Sequence, residues 1–133
     1  MDIKILVIEN EPLILLYFKT IILNELKGVE IITACSYKEA VSKAGSLKFD
    51  LVLSDIGLDY PTAGIDIAIK IREFSKVPIV FITASPERLT SEIIDSIFPC
   101  GVVQKPINHK MLKPVIYMAL FGKNKLERLQ HER

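Results

Sequence analysis

The sequence predicts a doubly wound α/β sandwich, a parallel sheet with helices on both faces. One observation is alternation: short apolar runs and helical patterns succeed one another five times, and five βα repeats in 133 residues imply a parallel sheet. Right-handed crossovers then leave few arrangements. The other is where the apolar runs stop. Four of them end in polar residues, at Glu9-Asn10-Glu11, Asp55, Thr83 and Lys105. In an open parallel sheet, ligands bind beyond the carboxyl ends of the strands, where strand order reverses. Carboxylates there suit a hard cation, and a hydroxyl with a lysine suits a phosphoryl group. The pattern reads as a phosphoryl-transfer pocket.

The elements follow in order. Ile3 to Ile8 is an apolar strand that runs into the acidic cluster. A helical pattern extends from Pro12 to about Lys27, with the proline in the first turn, where its missing N–H does no harm. Val29 to Ala34 is the second strand. Ser36 can cap a helix from Tyr37 to Ala44, with Glu39 placed as in a capping box and Gly45 as the stop. The third strand, Leu51 to Ser54, leads into Asp55, and Gly57 to Gly64 carries the breaker residues of a long turn. A third helix is predicted over Ile65 to Phe74, a strand over Val77 to Ile82 and a helix over Glu87 to Ile97. Val102 to Gln104 is the fifth strand, and Asn108 opens the last helical segment. Pro114 forbids one hydrogen bond there, which predicts a kink or a helix that begins only near Pro114.

Composition narrows the classes. The length suits one domain with a single sizeable core. With 50% hydrophobic and 25% charged residues the chain is globular, and a net charge of +1 gives no support to nucleic-acid or membrane-surface binding. Cys35 and Cys100 flank apolar strands and read as buried free thiols of a reducing cytosol. The apolar run from Leu13 to Leu23 is interrupted by Lys19 and Thr20 and is too short to span a bilayer. A cytoplasmic domain is expected. Glycine-rich nucleotide cradles do not occur. His109 and His131 have no zinc-like spacing with the cysteines, and His109 supports no Ser/His/Asp set.

The acidic residues after strand one, the lone Asp55, Thr83 and Lys105-Pro106, in this order and at these strand ends, resemble the receiver domain of two-component response regulators. The resemblance spans about Ile3 to Leu120. It implies a flavodoxin-like strand order 2-1-3-4-5, an arrangement for which a receiver is a standard example. It also implies a division into a receiver domain, residues 1–122, and a C-terminal helical extension or tail, residues 123–133. Asp55 matches the phosphoacceptor, since a carboxylate can act as a nucleophile and form an aspartyl phosphate. Glu9, Asn10, Asp55 and the carbonyl of Gly57 match the ligands of Mg²⁺. Thr83 matches the hydroxyl that binds a phosphoryl oxygen, beside a small Ala84. Lys105 matches the ammonium that pairs with Asp55 and with the phosphoryl group. The resemblance further implies a cis bond between Lys105 and Pro106.

This chain departs from the family pattern in three places. Asn10 stands where Asp is usual, so the metal site loses a full charge and Mg²⁺ binding should weaken. Glu11 can compensate by reaching inward, but reads more naturally as a first-turn helix residue favoured by the dipole. Val102 stands where Tyr or Phe is common and cannot make the family's ring movement. The loop after Asp55 is one residue longer than usual, with Ala63 before Gly64, a spacing similar to receivers of hybrid sensory proteins.

Two surfaces are candidates for partners. Leu15, Tyr17 and Leu23 fall behind the apolar stripe of the first helix formed by Leu13, Ile14, Leu16, Phe18, Ile21 and Ile22, and a partner or homodimer contact is one reading. At the C-terminus, Leu112, Ala119 and Leu126, with Val115, Gly122 and Leu129, make a short heptad pattern. The resemblance supports a phosphoacceptor that takes its phosphoryl group from a histidine kinase or phosphotransfer protein. It is not a turnover enzyme, at most self-phosphorylating and dephosphorylating at Asp55. The alternative is a pseudo-receiver, an interaction module that works without phosphate.

Overall fold

The computed structural model describes residues 2–122. Five strands form one parallel sheet: β1 (Ile3–Ile8), β2 (Val29–Ala34), β3 (Leu51–Asp55), β4 (Ile79–Thr83) and β5 (Gly101–Gln104), in the order β2-β1-β3-β4-β5. The helices are α1 (Pro12–Glu25), α2 (Tyr37–Ser46), α3 (Ala63–Arg72), α4 (Ser91–Ile97) and α5 (His109–Tyr117). This is the expected doubly wound sheet in the expected order.

Period-two alternation persists inside the apolar strands and sorts their side chains between two cores. Ile5, Val7, Leu53, Val80 and Ile82 face α1 and α5, where Phe18, Ile22, Leu112 and Ile116 are buried. Leu6, Ile8, Val52, Ile79 and Phe81 face α2, α3 and α4, against Ala40, Ile67, Ile71 and Ile97. A parallel sheet covered on both faces needs such near-continuous apolar strands.

Local chemistry accounts for the element ends. The Ser36 hydroxyl accepts from the Glu39 N–H at 3.2 Å, capping α2 as expected. Gly45 does not stop that helix, which runs on to Ser46. Nothing but a C-terminal glycine conformation would have required the stop, and Gly45 keeps helical geometry. α4 starts later than expected because Pro86–Arg88 forms a separate 3₁₀ turn and Thr90 caps the helix proper, accepting from the Ile93 N–H. β4 begins at Ile79, β5 gains Gly101, and α3 starts two residues early, at Ala63. α5 begins at His109, not near Pro114. It passes through the proline, and the wider π turn comes afterwards, at Met118–Gly122. The Lys110 carbonyl that a non-proline residue 114 would satisfy lies on an exposed turn, where water can serve it.

Two expectations on burial fail. Cys35 and Cys100 are exposed, because each lies just outside its neighbouring strand rather than in it. Leu13 and Leu16, expected on the buried stripe of α1, are exposed (82% and 59%) together with Tyr17 and Leu23. Phe18 and Ile22 are buried and Ile14, Leu15 and Ile21 pack half-buried against the same core, which leaves Leu13, Leu16, Tyr17 and Leu23 beyond what the core uses. Leu126 and Leu129 of the heptad pattern, and the tail as a whole, lie outside the described residues.

Candidate functional site

The three central strands deliver chemistry at their carboxyl ends: Asp55 and Thr83 close β3 and β4, and Glu9 directly follows β1. The Glu9 N–H donates to the Ala34 carbonyl at 3.0 Å, which extends the β1 ladder to the site and fixes Glu9 where its carboxylate turns inward. Glu9 is buried (1% exposed). Its Oε1 accepts from the N–H groups of Asn10 (3.0 Å) and Glu11 (3.1 Å). Its Oε2 is fully buried, accepts no hydrogen bond among the described residues, and faces Lys105 Nζ at 3.5 Å. Asp55, the last residue of β3, is also buried, and its Oδ2 accepts from Lys105 Nζ at 2.5 Å. Thr83 ends β4, with its Oγ1 accepting from the Ser85 N–H at 2.9 Å. The Lys105 N–H donates to the Thr83 carbonyl at 2.8 Å, so β5 delivers its lysine in register with the other ends. The Lys105–Pro106 peptide is cis, as the resemblance implied.

An open cleft of about 240 Å³ lies here, lined by Glu11, Asp55, Gly57, Thr83, Arg88 and Lys105, with the buried Glu9 behind Lys105. Gly64 packs against the end of β3 behind Asp55. Its N–H donates to the Ile56 carbonyl at 2.7 Å, and a Cβ at this position would overlap the Asp55 carbonyl oxygen. Only glycine lets the start of α3 approach β3 so closely.

The electrostatics are those of an under-neutralised acidic cluster. Glu9, Glu11 and Asp55 each offer a carboxylate oxygen within 4.8 Å of the others, and one ammonium, Lys105, serves all three. Burial, followed by the charge of Asp55, lifts the Glu9 carboxyl from 4.5 to about 7. Burial disfavours the Lys105 charge, but the Asp55 hydrogen bond and the surrounding carboxylates outweigh it and raise that pKa above its usual value.

Sequence reasoning brings Glu9, Asp55, Gly57, Thr83 and Lys105 to one place, and the structure puts them there. Asn10 is different: it is exposed, its side chain has no hydrogen-bond partner among the described residues, and it does not line the cleft. Glu11, which reads from the sequence as a helix residue serving the dipole, behaves otherwise. It is the N-cap of α1, yet its side chain makes no capping bond, and its Oε1 lies 3.7 Å from Lys105 Nζ. Short Ser, Thr, Asp and Asn side chains are the ones that cap, and the longer glutamate is free to reach elsewhere. Val102 lies on the outer strand and is partly exposed (39%), with no ring to bury.

The residues present fit a small divalent cation. The donors are all hard oxygens, they carry more negative than positive charge, and a buried carboxylate oxygen lacks a hydrogen bond. With only the Lys105 ammonium at 3.5 Å beside it, that oxygen is open to a further partner.

Residues 5–117 match the model of the response regulator receiver domain, and the chain belongs to that family. Among individual relatives, it is 36% identical over 121 residues to the phyllosphere-induced regulator PhyR of Methylorubrum extorquens, covering 89% of this chain and 43% of PhyR. This chain therefore spans less than half the length of that curated relative. The N-terminal domain of a response regulator/sensory box/GGDEF three-domain protein from Carboxydothermus hydrogenoformans superposes with a TM-score of 0.78 at 32% identity, over 92% of this chain and 97% of that one. The anti-anti-sigma factor PhyR from Bartonella quintana gives a TM-score of 0.77 at 32% identity, over 98% of this chain and 52% of that one.

Proposed function

We propose that this chain is a phosphoacceptor receiver of a two-component phosphorelay, with Asp55 as the acceptor. The observation that carries the reading is the convergence of the Asp55 carboxylate, the Lys105 ammonium and the Thr83 hydroxyl on one open cleft. The donor is the phosphohistidine of a histidine kinase or phosphotransfer protein. An Asp55 oxygen attacks phosphorus, the P–N bond breaks, and its electron pair leaves on the imidazole nitrogen, which takes up a proton. The product is a mixed anhydride on Asp55. Lys105 neutralises the incoming phosphoryl oxygens while its stem keeps it beside Asp55. Thr83 Oγ1 accepts from Ser85 and so keeps its own proton to donate to a phosphoryl oxygen. Glu9, Asp55 and the Gly57 carbonyl would hold Mg²⁺, which when bound supplies charge neutralisation for the transferring group.

Signalling would then pass through protein contacts in the cytoplasm. The exposed Leu13, Leu16, Tyr17 and Leu23 on α1 offer one docking or homodimer surface. The likeness to proteins described as anti-anti-sigma factors makes an anti-sigma factor a candidate partner for the protein. No helix among the described residues is long and apolar enough to cross a membrane, which accords with a cytoplasmic setting.

The exposed Asn10 and the ringless Val102 favour a second reading, a pseudo-receiver that binds its partner without phosphate. Intact mass after incubation with acetyl phosphate and Mg²⁺ separates the two. One phosphoryl adduct, absent from Asp55→Ala, is expected. No adduct on folded protein from either acetyl phosphate or a phosphorylated kinase would favour the pseudo-receiver.

A further inference from the structure

Resting on the metal-dependent reading above, the geometry points to Glu11, rather than Asn10, as the residue of the β1–α1 turn that ligates the cation, so that the carboxylates of the site are Glu9, Glu11 and Asp55. An amide at position 10 removes one charge from a site that needs charge. The structure places a replacement one residue further on.

Three observations carry this. The Glu11 carboxylate is not engaged where an N-cap side chain ordinarily is, since no helix N–H donates to it. It approaches the cluster instead, with one oxygen within 4.8 Å of carboxylate oxygens of both Glu9 and Asp55, and it lines the cleft. Independently, Glu9 Oε2, with its side chain wholly buried, accepts no hydrogen bond and faces the same ammonium that Glu11 and Asp55 face. A cation among the three would satisfy that oxygen. Asn10 is not among the residues that line the cleft and brings no carboxylate, whereas Glu11, although its own side chain is 61% exposed, reaches to 3.7 Å from Lys105 Nζ. The Glu9 Oε1 bonds to the N–H groups of residues 10 and 11 clamp this turn, so Glu11 is presented by a fixed backbone rather than by a loose loop.

The test is Mg²⁺ affinity by calorimetry for the wild type, Glu11→Gln and Asn10→Ala, with folding checked by far-UV circular dichroism. Glu11→Gln should weaken Mg²⁺ at least about tenfold, the scale on which ligands and their orienting partners act. Asn10→Ala should leave affinity unchanged within error. The Glu11→Gln loss should persist at about 1 M salt, where the Debye length is ~3 Å and remote charge effects are screened. Should Glu11→Gln not fold, Glu11→Asp, one methylene shorter, should show the same weakening. Equal losses from both positions, or a Glu11 effect that salt abolishes, would overturn the assignment. A wild type that binds Mg²⁺ while Glu11→Gln binds it as well sinks this inference alone. A wild type that binds none sinks the metal-dependent reading with it.

Discussion

At Glu9 a single carboxyl couples the fold to solution pH. Burial and the neighbouring Asp55 raise it from 4.5 to about 7, so between those values the native state holds a proton that the unfolded chain has released. The folded state then binds more protons than the unfolded state, and the slope of stability with pH is negative. In metal-free protein, stability should fall as pH rises from about 5 to about 7, by up to ~1.4 kcal/mol per unit, and level off above. Urea midpoints in the presence of a chelator would show it. Glu9→Gln should remove that slope, and an unchanged slope in the variant would assign it to other groups. The same turn shows how far residue chemistry is legible in a sequence. Glu9, Asp55, Thr83 and Lys105 are legible because each ends an apolar strand and nothing local can place it elsewhere. Asn10 and Glu11 are not. Which of two consecutive residues turns inward depends on backbone angles at the strand exit, and periodicity says nothing about those.

Helix starts and stops are legible where a side chain closes a hydrogen bond, as at Ser36, and less so where glycine is read as punctuation. Gly45 sits inside α2 with open space where a methyl group would project, whereas Gly64 is pressed against the Asp55 carbonyl. The two glycines should therefore respond oppositely to alanine. Gly45→Ala should stabilise by about 0.5–1 kcal/mol, through helix propensity and reduced freedom of the unfolded chain. Gly64→Ala should destabilise by about 1–3 kcal/mol or more, the range for overpacking, and should lower the yield of phosphoryl adduct as Asp55 is displaced. Thermal melts of the two variants side by side make the comparison. α4 departs from its expected start for a related reason: the run from Glu87 looks helical, but Thr90 offers the cap, and the helix waits for it.

For the molecule as a whole, one sheet serves two cores. Phe18 is wholly buried on the α1–α5 face and Phe81 on the α2–α4 face, and the strands between them contribute alternate side chains to each. Neither layer can loosen without exposing the other's strands, so unfolding should be a single transition. Phe18→Ala and Phe81→Ala should each cost about 3–5 kcal/mol and shift one common denaturation curve. Two separated transitions in either variant, by circular dichroism and tyrosine fluorescence, would show that the faces unfold independently. The layer architecture itself is legible from five alternating repeats. The strand order comes with the likeness to the receiver family, because right-handed crossovers limit the permutations without choosing one.

The site is also the least local object in the chain. Lys105 meets Asp55 across 50 residues of sequence, and Glu9 follows the first strand while Lys105 follows the last. On the ribosome, the carboxylates of the first and third strands emerge with no ammonium to join them until β5 has been synthesised and paired. Nascent chains arrested before residue 105 would carry an acidic cluster without its counter-charge. Competence at this cleft therefore doubles as a report that translation has run through the fifth strand and that the whole sheet has closed.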